Sequence, residues 1–451
     1  MMDDRTSLLR RFVNTAYVAV LASLERRIPF WPIERLEYLQ QRRLRSMIQH
    51  AYDTVPFYRQ VMEERHLRPK DFKNVADLNA LPLLDDSFVW SNLKQFMSSQ
   101  YMHRPMLNVH TSGTYSKIQK TIYWDRLNAL RRLAYNERDR AVLNKLLGQG
   151  WGQNQLFLLP EVSVSRIMRK FWDRQILTHR SIARRFFFSP ERPFDEVVSQ
   201  MNTVKPQVVF SYGSYAEEFF RFLADRRHQI ALPKVWMYGG DMLSETGREL
   251  MEKNFGCIVY ATYQTVETGK IGFQCERREG FHLNIDLSPI RLIDESGQTV
   301  EPGQRGEVVV SNLYNRAMVL LNYRLGDFGV LATKPCPCGR NLPLLEKLGG
   351  RVYETIRLPD GRQFIADVLE TEFRNELESS LQAQVSQLGP HQVLWRVVPS
   401  ARADREALCR KMLEKSKSIF GDVEVRVEFV EKIHRTSAGK FLRVIPLKTG
   451  N

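Results

Sequence analysis

The chain lacks any apolar run of the roughly 18 residues that a membrane-crossing helix needs; its longest candidate, Ala16 to Leu24, is too short. A transmembrane segment is therefore not expected. It has few cysteines, five among 451 residues. An odd, sparse set argues against a disulfide framework and for a reducing, cytoplasmic setting. No apolar core followed by a small-residue cleavage site opens the chain, so no signal peptide is expected. The chain is also short of acid, with 51 Asp and Glu against 66 Lys and Arg, for a net charge of +15. Part of the excess is concentrated in Arg166, Arg169, Lys170, Arg174, Arg180, Arg184, Arg185 and Arg192. Such a stretch suits a polyanion, a phosphate-rich small molecule or an acidic carrier protein, or is simply a solvated helix face. Helix-turn-helix, zinc-finger and RNA-binding signatures are missing, so nucleic acid is not expected as a partner.

What is present is enough apolar residue, 43% of the chain, for two or three domains with a large core. Residues 1 to about 100 carry a helical pattern, with Leu36, Leu39, Leu44, Met47 and Ile48 recurring among Arg and Gln. That helix should stop before Val55-Pro56, because the residue preceding proline is pushed out of the helical region. A second should start at Pro56, and a short helix and loop should occupy Ala76 to Asp86. From residue 121 to 234 helix and strand alternate: a helix from Trp124 to Leu146, a strand from Gln155 to Leu159, a strand from Pro206 to Phe210 and a helix from Tyr215 to Asp225. The alternation implies a mostly parallel sheet flanked by helices.

The stretch from Val235 to Asn284 organises the rest. An apolar strand, Val235 to Tyr238, runs into Gly239-Gly240-Asp241, where a sharp turn needs residues tolerant of positive φ. Ser244 is a candidate N-cap for a helix over Thr246 to Asn254, ended by Phe255-Gly256. A second strand, Cys257 to Ala261, leads into a polar loop, Tyr263-Gln264-Thr265-Val266-Glu267. In open α/β sheets ligands bind at such strand ends; the plain alternative is an ordinary βαβ unit. Upstream, Val109 leads into His110-Thr111-Ser112-Gly113-Thr114, a hydroxyl-rich loop able to wrap phosphate with backbone N–H groups, with Lys117 and Lys120 for charge. Downstream, strands are expected over Pro289 to Asp294 and Arg305 to Asn312, with a Ser296-Gly297 turn between them. An apolar strand, Leu320 to Tyr323, should close on Arg324-Leu325-Gly326-Asp327, where an Asp at a strand end can accept both hydroxyls of a ribose. The chain divides at Gly349-Gly350-Arg351. After it comes a small α+β segment: strand Val393 to Val398, helix Asp404 to Phe420, strictly alternating strand Val423 to Val430, and a polar loop from Lys432 through Arg435-Thr436-Ser437-Ala438-Gly439-Lys440.

Four separated segments in this order, T-S-G-T…K at 111–120, Y-x-x-x-E at 263–267, Y-R-x-G-D at 323–327 and R-T-x-x-G-K at 435–440, resemble the adenylate-forming (acyl-activating) superfamily. The opening LQQRRLRSMIQHAYDTVPFYRQ and the segment PQVVFSYGSYAEEFFRFL resemble its branch of phenylacetate–CoA ligases and capsular-polysaccharide protein K. The likeness runs from about residue 36 to the C-terminus. It implies a large N-terminal domain over 1–349 with a helical lead-in, and a small mobile C-terminal domain over 350–451. It further implies ATP-dependent conversion of a carboxylic acid to an acyl-adenylate, then transfer to a thiol such as coenzyme A or a carrier protein. The partners are then a small carboxylic acid, ATP and the thiol, and a homodimer is an open assembly. By position, Lys440 bridges carboxylate and α-phosphate. Asp327 holds the ribose hydroxyls and Arg351 reaches the nucleotide. Glu267 binds Mg²⁺. Tyr263 flanks adenine, with Gln264 and Thr265 beside it and Gly239, Gly240 and Asp241 lining the same pocket. Thr111, Ser112, Gly113 and Thr114 embrace the pyrophosphate end.

Four departures from the family pattern stand out. The phosphate loop continues Tyr115-Ser116-Lys117-Ile118 where Thr-Gly-x-Pro is usual. Gln264 replaces glycine, Val266 replaces a hydroxyl residue, and Tyr353 with Glu354 stands at the pivot where Asp is common. These leave room for a second class of function, a catalytically degenerate relative that binds or assembles in polysaccharide or secondary-metabolite synthesis, and for a third, transfer to an amine, hydroxyl or carrier-protein thiol. Separately, Cys275, His282, Cys336 and Cys338 offer three thiolates and an imidazole, a tetrahedral Zn²⁺ set; free buried thiols are the alternative. Cys257 and Cys409 read as core residues. His110 is either a substrate contact or a structural loop residue, and Phe210, Tyr212 and Tyr215 line an acyl pocket or pack a core.

Overall fold

The computed structural model describes residues 7–111, 120–177, 183–226, 229–351, 354–436 and 439–447. The stop and start signals near the N-terminus act as their chemistry requires. Ser7 caps the helix Leu8–Glu25 by accepting from the Arg10 N–H. The helix Ile33–Thr54 ends at Val55, which is extended (φ −113°, ψ 115°) ahead of Pro56, the first residue of Pro56–Glu64. A single helix from Trp124 to Leu146 does not form. Trp124 is wholly buried in the hairpin of Met106–Thr111 with Lys120–Asp125, opposite Leu107. Asp125 then caps Arg126–Tyr135 by accepting from Asn128 N–H, and a second helix, Glu137–Leu147, follows Asn136. A good capping residue at the strand end overrides helical periodicity that would otherwise run straight through.

The chain forms two compact units. The first comprises Met1–Gly152, Glu161–Ala183 and Tyr260–Leu348. Its strands run in the order Ile290–Ile293, Arg305–Val310, Tyr323–Leu331, Leu344–Arg351, Phe281–Leu283, Gly269–Phe273, Ile258–Thr265. From Ile290–Ile293 through Tyr323–Leu331, and from Leu344–Arg351 through Ile258–Thr265, neighbours pair antiparallel, so these strands, which follow the alternating stretch, supply the antiparallel part of a mixed fold. Two local expectations change. The strand after Cys257 runs to Thr265, so Tyr263, Gln264 and Thr265 belong to a strand rather than a polar loop. Thr265 pairs with Gly269, leaving Val266, Glu267 and Thr268 as a tight hairpin turn with Gly269 at φ +78°. Leu320–Asn322 precede a strand instead of forming one; Tyr323–Leu331 is the strand, and Asp327 lies within it. The register slips between Glu307 and Val309, so Leu325–Asp327 bulge outward with Gly326 at φ +74°.

Buried charge ties this unit together. Arg138, without solvent access, donates to both carboxylate oxygens of Asp286 (2.8 and 2.9 Å), to Glu25 (2.7 Å) and to Asn284 (2.9 Å). Arg43 adds a second cation to Asp286 at 2.7 Å.

The second unit comprises Gln153–Pro160, Arg184–Val259 and Gly349–Asn451. Here the strands Gln153–Leu158, Val208–Ser211 and Val235–Tyr238 pair parallel, as the alternation implied. Helices Phe194–Val204 and Gly213–Asp225 pack an aromatic core of Phe194, Tyr215, Phe219, Phe220 and Trp236. Ser244 Oγ accepts from Gly247 N–H at 2.9 Å, and the helix it caps, Glu245–Glu249, passes into a π turn over Leu250–Asn254. The C-terminal part is a four-stranded sheet in the order Glu424–Phe429, Gln392–Pro399, Ser380–Gly389, Val444–Ile445, backed by the helix Arg405–Phe420 with Asp404 as its N-cap. The whole is a mixed α/β fold: an antiparallel sheet in one unit, and parallel strands plus a small α+β sheet in the other.

Candidate active site

In the first unit, hydrogen bonding joins two of the sequence motifs. Tyr263 Oη donates to Asp327 Oδ2 at 2.8 Å, with the tyrosine buried in its strand and the aspartate half-exposed on the bulge. The neighbouring side chain, Gln264, is exposed. Thr265 Oγ1 is 3.0 Å from Thr268 Oγ1 and accepts from Thr268 N–H, so it braces the hairpin turn. Val266 is packed against the core. Glu267, at the turn, keeps 12% of its side chain accessible and has Lys120 Nζ at 4.0 Å. Lys120 also bonds Asp86, a residue with no motif to mark it. Asp86 accepts from Tyr323 Oη and from Trp90 Nε1 as well. Burial works to raise the Asp86 carboxyl, but the Lys120 charge and these donors outweigh it and hold the group below the usual carboxylate range. Sequence alone could not find Asp86, because Lys120 and Tyr323 lie 34 and 237 residues away. Ser112, Gly113, Thr114, Tyr115, Ser116, Lys117, Ile118 and Tyr353 lie outside the described residues, as do the side chains of Thr111 and Arg351. His110 is exposed and bonds Thr121 Oγ1 through Nδ1 at 2.9 Å.

In the second unit, the Gly-Gly-Asp turn and the lysine loop meet one tyrosine. Gly240, at φ +91°, lies where a Cβ would come within 2.9 Å of the Tyr212 ring. Gly439, at φ +80°, lies where a Cβ would reach Tyr212 at 3.2 Å and Pro160 at 2.7 Å. Tyr212 is thus held between the two glycines, next to Lys440, and its burial pushes its phenol up. The loop itself closes on backbone and hydroxyl bonds: Thr436 N–H donates to the Lys440 carbonyl (2.8 Å) and Lys440 N–H to Thr436 Oγ1 (3.2 Å). Gly239 does not take a positive φ; Gly240 alone carries the turn. Both oxygens of Asp241 are engaged by Ser214, at the start of the helix Gly213–Asp225 (3.1 Å from N–H, 2.5 Å from Oγ). Arg435 donates to Ser214 Oγ (2.7 Å) and to Glu218 (2.5 Å), and Arg443 donates to the buried Glu217 (2.7 Å). These ion pairs fasten the segment after residue 434 to that helix. The acyl-pocket reading fails for Tyr215, which is fully buried among Phe194 and Phe219, and Phe210 stacks on Phe157 at 4.3 Å.

Part of the basic stretch has local partners. Arg166 pairs with Glu161, Arg169 lies over Trp172 and Arg192 pairs with Glu196; Arg180 lies outside the described residues.

A third cluster lies in the first unit. One ligand atom each from Cys275, His282, Cys336 and Cys338 all fall within 4.8 Å of one another. Cys275 Sγ is 3.8 Å from Cys336 Sγ, and Cys338 Sγ is 3.3 Å from His282 Nε2. A tetrahedral ion with Zn–S bonds of about 2.3 Å needs sulfur–sulfur edges of about 3.8 Å, so the donor set fits. His282 Nδ1 faces the Leu342 carbonyl at 3.3 Å, which turns Nε2 toward the sulfurs. Burial pushes the imidazole down to about 4, leaving it neutral and able to donate a lone pair. Cys257 is a core residue, donating to Pro233 O, as expected, and Cys409 is half-exposed on its helix.

No family model matches the chain. Among curated proteins, the phenylacetate-coenzyme A ligase of Aromatoleum evansii is 23% identical over 449 residues, covering 92% of this chain and 96% of the relative. That of Thermus thermophilus is 23% identical over 346 residues, 72% of each. Among solved structures, a 2-hydroxyisobutyryl-CoA ligase in its postadenylation state has a TM-score of 0.72 at 18% identity, covering 94% of this chain and 92% of that one. The o-succinylbenzoate CoA synthetase of Bacillus subtilis with its acyl-adenylate intermediate reaches 0.52 at 15% identity, covering 74% and 67%. The chain is thus similar over nearly its whole length to phenylacetate-coenzyme A ligases and shares its fold with acyl-CoA ligases.

Proposed function

We propose that this protein is an acid–thiol ligase. A carboxylate, aryl or arylacetic, attacks the α-phosphorus of ATP; the bond to pyrophosphate breaks and an acyl-adenylate forms. The sulfur of coenzyme A then attacks the acyl carbon, and AMP leaves as the acyl–oxygen bond breaks. The observation that carries this reading is the shared contact of Gly240 and Gly439 with Tyr212, which brings the Lys440 loop to the Gly-Gly-Asp turn. Lys440 bridges carboxylate and α-phosphate, countering the charge that builds at the transferred phosphorus. Asp327, held by Tyr263, accepts the ribose hydroxyls, and Arg351 joins the nucleotide. Thr111 to Thr114 embrace the pyrophosphate end. Glu267 would hold Mg²⁺, which supplies charge neutralisation at the phosphates; Lys120 beside it shares that duty. Cys275, His282, Cys336 and Cys338 would hold a structural Zn²⁺ closed to solvent chemistry, because all four positions are protein ligands. Residues 350–451 act as the mobile small domain, turning between the half-reactions.

Exchange of labelled pyrophosphate into ATP, across aryl and aliphatic acids, tests the reading. Exchange with one acid class, cut by at least about a hundredfold in Lys440→Ala, is expected; thioester formation with coenzyme A completes it. Absence of ATP binding by the folded protein would sink it. Val266 favours a second reading. It packs into the core where a phosphate-facing hydroxyl is usual, and the Thr265 hydroxyl is already committed to Thr268. In that case the protein binds ATP without exchange and serves in polysaccharide or secondary-metabolite assembly; transfer of the acyl group to a carrier protein or amine would instead keep the exchange and give no coenzyme A thioester.

A further inference from the structure

The first described helix is built inside out. Leu8–Glu25 turns its polar side chains toward its own protein. Arg11 donates to the Ile176 carbonyl at 2.8 Å and Asn14 to the Gln175 carbonyl at 3.0 Å. Thr15 accepts from Leu177 N–H, Tyr17 from Arg131, and Glu25 from Arg138. The opposite arc, followed at 100° per residue, presents Leu8, Leu9, Phe12, Val13, Ala16, Ala19, Val20, Ser23 and Leu24, and carries no charge. The exposure is high: Leu9 75%, Phe12 63%, Val20 70%. Solvated helix faces are ordinarily polar, so an uncharged, apolar outer face over five turns marks a surface made to be covered.

We propose that this face lies in the plane of an anionic membrane surface. The charge around it selects that occupant. Arg10 beside the face and Arg26 and Arg27 at its end are exposed, as are Lys170 and Arg174 on the neighbouring helix Val164–Gln175, against the single exposed acid of that helix, Asp173. The chain as a whole carries +15. Apolar side chains entering the acyl boundary with arginines at the headgroups is the arrangement of in-plane membrane helices. No described helix is long and apolar enough to cross a membrane, so the contact is peripheral. A second copy of the chain fits less well. Two copies packed through this face would bring the exposed Arg10, Arg26 and Arg27 of each toward the same cations of the other, whereas an anionic lipid surface pairs with all of them.

Flotation of the full chain with vesicles tests this, using phosphatidylcholine alone and equal parts phosphatidylcholine and phosphatidylglycerol. The protein should float with the anionic vesicles, much less with the neutral ones, and progressively less as salt rises. Phe12→Glu with Val20→Glu should cut the bound fraction at least about tenfold, with an unchanged thermal transition because both side chains are exposed. Arg26→Glu with Arg27→Glu should remove the preference for anionic lipid. Failure of the wild type to float with anionic vesicles overturns the proposal, as does flotation untouched by Phe12→Glu with Val20→Glu. A wild-type dimer in light scattering that the same pair of substitutions dissociates, without vesicle binding, would assign the face to a second copy instead.

Discussion

Gly240 shows how much one residue can carry. Its φ of +91° is costly for any side chain, and a Cβ would press on the Tyr212 ring at 2.9 Å. Gly240→Ala should therefore cost about 1–3 kcal/mol, a fall of several degrees in the melting temperature, and should weaken ATP binding by displacing Tyr212. Gly152 is the control: its φ is +73° but nothing lies within 4 Å. Gly152→Ala should cost only the conformational part, about 1 kcal/mol, and leave ATP binding alone. Paired calorimetric melts and ATP titrations read both. The glycine turn was legible in the sequence because an apolar strand that runs into Gly-Gly-Asp must turn there, and glycine alone takes the positive φ cheaply. Tyr212 was ambiguous there, since its neighbours Gly240 and Gly439 are distant in the chain.

Among elements, the two strands that end at the Cys/His cluster show local pattern and long-range pairing dividing the work. Phe281–Leu283 pairs with Leu344–Leu345, and Gly269–Phe273 pairs with Phe281–Leu283. Through that sheet His282 and Cys275 come to the Cys336-Pro-Cys338 turn. The purified protein should contain about one zinc per chain by elemental analysis, and Cys336→Ser should lose most of it. A strong chelator should lower the melting temperature of the wild type by several degrees and leave Cys336→Ser unmoved. An unchanged wild-type transition with no zinc would leave the four clustered thiol and imidazole groups without an ion. The ligand types were legible as a set; their meeting was not, because 54 residues separate His282 from Cys336 and only strand register closes that gap. Periodicity misled over Trp124 to Leu146, where a capping Asp ends a strand, and over Leu320 to Asp327, where the strand starts three residues late and carries a bulge.

At the scale of the whole molecule, the buried cluster of Arg138, Arg43, Glu25 and Asp286 makes stability depend on pH. Burial alone would raise the Asp286 carboxyl, but Arg138 and Arg43 hold it down at about 2, against about 3.9 for an unfolded Asp. A depressed carboxyl stabilises fully above the unfolded value and loses its contribution as pH falls through the folded one. Stability should therefore drop between about pH 4 and pH 2, by about 2 kcal/mol from this group. Asp286→Asn should be less stable at pH 7 by about 3–5 kcal/mol, because Arg138 stays buried with a partner missing, and its denaturation midpoint should fall less steeply below pH 4. Urea melts at pH 7, 4 and 3 decide the matter; an equally steep acid loss in the variant would assign it to other carboxyls.

The sequence by itself determined the mixed α/β class, the helix boundaries at Val55-Pro56 and Ser244, and the four motif segments, because capping, proline geometry and glycine turns act within a few residues. Only the tertiary structure decided that Tyr263 holds Asp327, that Asp86 and Glu267 share Lys120, that Asp241 serves Ser214, and that the first helix faces outward with its apolar side. Each of those depends on which strand pairs with which and in what register. That choice is made by burial and hydrogen bonding summed over contacts tens to hundreds of residues apart, which no local pattern encodes.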